Sequence, residues 1–184
     1  MEVALKKTGP LFALILAATT ALPAPAQEVK PINLALITPI QIVPKDQSVG
    51  VFRASLIYGR NVDVKFVDLG LIMKTDRKGV GFQWGLAGIG HDFSGLQWTA
   101  VGYNTGTLKG VQLGAVNFTG GPESGWVQCC GIFNGANDFG GLQLSLVNYA
   151  KQLNGLQLGL INIITEGGFL GLPVFPFFNF NFGD

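Results

Sequence analysis

The sequence predicts an all-β protein built from one repeated strand-turn unit, and three observations predict it. First, Gly141-Leu-Gln-Leu-Ser-Leu-Val-Asn148 is written again as Gly155-Leu-Gln-Leu-Gly-Leu-Ile-Asn162, 14 residues later. Second, Gln83, Gln97, Gln112, Gln128, Gln143 and Gln157 extend that phrase backwards at spacings of 14, 15, 16, 15 and 14. A fixed short period of this kind is the mark of a repeat architecture. Third, each unit alternates. Leu156, Leu158 and Leu160 share one parity and Gly155, Gln157 and Gly159 the other, which is the two-residue period of a strand with one apolar face. No window offers a helical apolar stripe.

Taken in order, residues 1–26 read as a secretory signal peptide. Lys6 and Lys7 form a basic start, residues 11–22 a short apolar run, and Ala24-Pro25-Ala26 a small-residue cleavage site before Gln27. The run is short for a membrane span, and no Cys follows the cleavage site. Residues 27–184 then form a single all-β repeat domain. Its first unit spans residues 32–43. Arg53 and Asp68 stand at the marker position of the next two, 15 residues apart and 15 before Gln83. A last unit starts at Gly171 with Pro173 in the marker position, for about ten units in all. Turn formers separate strands at residues 119–124, 134–138 and 165–168.

Removing Lys6, Lys7 and Glu2 from the 12 Lys/Arg and 11 Asp/Glu leaves ten against ten. That balance gives no basic footprint for nucleic acid. Charge placement says more. Beyond Gly79 the charges are Asp92, Lys109, Glu123, Asp138, Lys151, Glu166 and Asp184, the first six at one per unit in the expected turns. The strands between carry none.

Two β architectures fit. An up-and-down antiparallel β-barrel of the outer-membrane type, with about 8–10 strands, uses 9–11 residues per tilted strand plus a tight turn. Its leucines face lipid, its Gly and Gln the lumen, and Tyr103, Phe118, Phe133 and Tyr149 form girdles at the rims. The aromatic alternation Phe178-Asn179-Phe180-Asn181-Phe182 suits a terminal barrel strand. A β-solenoid with one repeat per coil instead stacks each Gln on the next. It accounts for the likeness of every unit and lets a corner turn Leu160 and Ile161 inward together. It also accommodates Pro39, Pro44, Pro173 and Pro176 at its ends. The uncharged strands favour the barrel, with membrane lipid as partner.

The units Gly110-Val-Gln-Leu-Gly-Ala-Val-Asn117, 141–148 and 155–162 resemble the tandem "surface repeat" of exported bacterial proteins. The ending Leu172-Pro173 and Phe178-Asn179-Phe180 is similar too. The resemblance covers most of residues 50–184, while the first three units lack its Gln. It implies a cell-envelope location, at the outer membrane or cell surface, with no defined activity and no catalytic residues.

Candidate chemistry is sparse. His91-Asp92 has no partners for a ligand or acid–base set and reads as a turn tip. Cys129 and Cys130 read as two small apolar thiols, since adjacent strand residues point to opposite faces. Trp84 and Trp98 share the leucine face and read as packing. The Gln series reads as a lumen lining or a ladder. Asn117-Phe118-Thr119 matches a glycosylation sequon and carries no weight in a bacterial setting. No phosphate-binding glycine loop precedes a helix. We expect no enzyme activity, no catalytic, metal or cofactor site, and either a structural or narrow-channel barrel or a secreted binding or adhesion solenoid.

Overall fold

The structure, a computed structural model, describes residues 28–183. The leader read at residues 1–26 lies outside the described residues. The elements are β1 (Val29–Ile37), β2 (Ile40–Gln41), β3 (Ser48–Asn104), β4 (Leu108–Thr119), β5 (Ser124–Leu144), β6 (Val147–Glu166), a 3-10 turn (Phe169–Gly171) and β7 (Val174–Asn181).

Strand β3 alone is 57 residues long. Laid straight it would reach roughly 190 Å at about 3.3 Å per residue, so it can only wind. It winds into coils: Arg53 binds Asp68, Asp68 accepts from Gln83, and Gln97 donates to Gln83, each one repeat apart. The later coils continue the stack as one sheet ordered β2-β1-β3-β4-β5-β6-β7. The pairs β1–β3, β3–β4, β4–β5 and β5–β6 are all parallel, with Gln97 beside Gln112, Gln112 beside Gln128, and Gln143 beside Gln157.

The fold is therefore the β-solenoid with one repeat per coil, and the antiparallel barrel is wrong. A meander would put residues 148 and 162 at opposite rims, whereas Asn148 Nδ2 donates to Asn162 Oδ1 at 2.9 Å. The physical reason is the polar marker itself. In parallel register each amide side chain meets its own kind one coil away and gains a bond per coil. A barrel would leave the same amides facing water. All six marker glutamines are at most 2% exposed.

Two further sequence expectations change. Residues 134–138 bend within continuous β5 rather than breaking it. Leu160 and Ile161 do share a corner, but it turns both outward.

The interior has two parts. One holds two amide ladders of opposite polarity. The Gln ladder donates toward the N-terminus: Gln157 to Gln143, Gln143 to Gln128, Gln128 to Gln112, Gln112 to Gln97 and Gln97 to Gln83. Gln83 ends it by donating to Asp68 at 2.7 Å. The Asn ladder donates the other way, from Asn117 through Asn134 and Asn148 to Asn162. Beneath the Gln ladder, buried Arg53 grips both Asp68 oxygens at 2.7 Å. Breaking such a buried pair costs about 3–5 kcal/mol. The other part is apolar, with Phe93, Leu108, Phe139, Leu153 and Ile164 stacked through successive coils.

Each coil turns sharply two residues before its marker. Gly81, Gly95, Gly110, Gly141 and Gly155 all have positive φ there. A Cβ on Gly110 would lie 2.0 Å from the Gly95 carbonyl oxygen of the coil before, so the backbones approach too closely for a side chain pointing that way. Both ends are capped by antiparallel strands, β2 on β1 and β7 on β6. These caps hold Pro39 and Pro176 at the ends, as the solenoid alternative required. Phe169 packs its ring against Phe175, Phe178 and Phe180 over the last coil.

Candidate functional site

With the amides inside, the leucine parity is left outside. On the strand that carries the marker, the residues just before and just after it point outward. Leu96, Val111 and Val127 form one column, and Trp98, Leu113 and Cys129 the next. In the later coils Leu142 pairs with Leu156 and Leu144 with Leu158. Three residues past the markers, Leu56, Leu71, Leu86, Leu146 and Leu160 are all exposed. The surface of Leu142, Leu144, Leu156, Leu158 and Leu160 expected from the sequence is thus one end of an apolar face that runs the whole stack. No Asp, Glu, Lys or Arg occupies these columns from Leu34 to Leu160. Coils spaced by about 4.8 Å make the face on the order of 40 Å long. Exposed apolar residues scattered singly are ordinary, but a contiguous face of this extent marks an interaction site.

Two shallow depressions indent this face. One, of about 690 Å3, lies at the N-terminal end among Leu34, Leu36, Ile40, Ile42, Leu56 and Leu69. The other, of about 450 Å3, lies at the C-terminal end among Leu144, Leu146, Leu158, Leu160 and Phe177.

The backbone adds an independent mark. From the second marker onward, Phe66 and Trp126 occupy the corner column that is otherwise glycine, with φ of 65° and 134°. Phe177 (φ 69°) and Leu170 (φ 58°) are also left-handed. Bulky residues adopt this region only at a cost of about 1–3 kcal/mol each, and such outliers gather at functional sites. All four are among the most exposed large apolar side chains, at 65%, 69%, 70% and 77%. The fold gains nothing visible from them there.

His91 Nδ1 lies 2.9 Å from Thr105 Oγ1, while Asp92 accepts from the Thr107 N–H, so the two face different partners. Among the described residues no group of three or more His, Cys, Asp or Glu could hold a metal ion. Cys129 and Cys130 are free and half-buried, and burial pushes the Cys130 thiol pKa up, away from the reactive thiolate. Trp84 and Trp98 do lie on the leucine face, half exposed. Asn117 of the sequon is fully buried in its ladder.

Charge lies off the apolar face, on its flanks and on the far side. Arg60 pairs with Asp76 at 2.9 Å and Lys151 with Glu166 at 3.1 Å. The Asp63 carboxyl is held below its ordinary pKa chiefly by its hydrogen bond from Arg77. The Glu166 carboxyl is lowered in the same way by Gln152 and Lys151.

Sequence reasoning missed the corner column and its two aromatic exceptions. Their signal was present, since Phe66 and Trp126 each stand two residues before a marker where the units marked by Gln83, Gln97, Gln112, Gln143 and Gln157 carry glycine. No helix among the described residues is long and apolar enough to cross a membrane. Comparison with known proteins finds no matching family model, curated protein or solved structure.

Proposed function

We propose that this protein is a non-catalytic binding module of the bacterial cell envelope, working as a rigid spacer that presents one flat apolar face. The observation that carries this reading is the face itself: uncharged through every coil, edged by exposed aromatics held at a backbone cost, and with charge only on its flanks and far side. The leader read at residues 1–26 and the surface-repeat resemblance of residues 50–184 support the envelope location. A narrow-channel role loses its basis, because the Gln series that would line a lumen is spent on the ladder.

The reading is tested by fractionating cells that express the full chain. Leu71→Asp with Leu86→Asp places two charges on adjacent coils in the N-terminal half of the face without touching the interior. This variant is expected to leave the envelope fraction for the soluble one, whereas Gln152→Lys on the far side stays. Both variants partitioning like the parent, with unchanged circular dichroism, would mean that the face holds nothing.

A further inference from the structure

We propose that the occupant of the face is a lipid surface bearing anionic headgroups, on which the solenoid lies flat. The inference rests on the binding-module reading and names the partner of that same face.

Three features select lipid. The face is uniformly apolar along its length, and its backbone polar groups are consumed in the coil-to-coil ladder. A hydrocarbon boundary therefore meets no unsatisfied donor or acceptor. Its two long borders are chemically distinct. Along the glycine-corner border, Lys65 and Lys109 stand one residue outside the corner, both exposed, and neither is in an ion pair among the described residues. The nearest acids of that side, such as Asp63, Asp92 and Glu123, begin two residues further from the face. Along the opposite border, Tyr103 stacks on Phe118 at 5.3 Å, and Tyr149 occupies the corresponding position in a later coil. An apolar plane bordered by lysines and tyrosines matches an interfacial protein, with ammonium groups at the phosphates and amphipathic rings at the headgroup level. The exposed Phe66, Trp126 and Phe177 project at the edges of the same plane, where aromatic side chains anchor.

A second copy of the chain fits less well. A two-fold axis across the stack would lay the lysine border of one copy on that of the other. An axis along the stack would lay it on the tyrosine border. The first brings like charges together along the seam, and the second sets Lys65 and Lys109 against aromatic rings rather than carboxylates.

All three tryptophans of the chain, Trp84, Trp98 and Trp126, are at least half exposed on or beside this face, so the protein carries its own reporter. Protein purified from cells expressing the full chain is mixed with vesicles of phosphatidylcholine and phosphatidylglycerol. The expected result is co-flotation with a shift of tryptophan emission to shorter wavelength. Lys65→Gln with Lys109→Gln is expected to weaken binding to these vesicles about 30-fold while leaving weak binding to pure phosphatidylcholine unchanged. Leu71→Asp with Leu86→Asp is expected to abolish both. Absence of flotation by folded parent protein overturns the lipid proposal. If light scattering then shows a dimer that the Leu71/Leu86 variant splits, the face binds a second copy and the binding-module reading stands. If neither lipid nor self-association responds to these substitutions, both readings fall.

Discussion

Replacing one ladder glutamine by leucine should cost very different amounts in the middle of the stack and at its end. Gln128 donates to Gln112 at 2.9 Å and accepts from Gln143 at 2.7 Å. Gln128→Leu keeps the apolar stem but orphans one acceptor on Gln112 and one donor on Gln143, both fully buried. At about 1–3 kcal/mol for each of the two orphaned groups the expected loss is about 2–6 kcal/mol. Residual contacts from Thr119 Oγ1 and to the Tyr149 carbonyl, at 3.4 and 3.3 Å, favour the lower half. Gln157 sits at the end. It donates to Gln143 at 2.8 Å, and its own Oε1 finds no partner among the described residues. Gln157→Leu orphans the Gln143 oxygen but removes an oxygen already orphaned, so the count of orphans is unchanged. Only about 1 kcal/mol for lost bonds should remain. Urea unfolding followed by circular dichroism measures both midpoints. A loss for Gln157→Leu equal to or larger than that for Gln128→Leu would refute the one-way ladder.

Two other outcomes follow from particular residues. Trp126→Gly should raise stability by up to about 2 kcal/mol, since it relieves a left-handed tryptophan against the extra chain entropy of glycine. The same change should weaken vesicle binding, so thermal melts and flotation together should move in opposite directions. Asp63 provides the pH test. Its carboxyl is lowered below the ordinary 3.8, so its contribution is present above that value and is lost as pH falls from about there through the lower folded-state pKa. Solvent screening around the exposed Arg77 keeps that contribution small. Acid titration of stability should be correspondingly flatter in Asp63→Asn, and an identical acid limb in the two proteins would remove the pair from the account.

The repeat, the strand character and the apolar parity were all legible, because period and alternation are properties of the chain alone. Which way that parity faces was not. Leu158 reads the same whether it meets lipid around a barrel or lies on the outside of a coil. The deciding fact, that Gln143 and Gln157 bond each other, depends on strand direction, which alternation does not encode. On sequence alone the uncharged strands favour a barrel. They belong instead to an outer face on a solenoid whose buried positions are polar, an inversion of the usual arrangement. Arg53 and Asp68 were seen to be in step with the glutamines, yet their ion pair needed coils stacked in parallel before it could be recognised. His91 and Asp92, adjacent in the sequence, turn to different partners one coil on, Thr105 and Thr107, which adjacency alone does not encode.

The opposed polarity of the two ladders bears on how such a chain can change length. Were the Gln and Asn amides aligned, every coil gained by duplication would lengthen a single dipole and raise the burden on whichever residues terminate it. Running in opposite directions, their fields offset in the coils from Asn117 to Asn162 that carry both, and one buried carboxylate at Asp68 terminates the Gln ladder. Duplication of a unit of about 15 residues is then electrically neutral at both caps. It adds one more row to the apolar plane, making the reach of this protein a quantity that selection can adjust in steps of one coil.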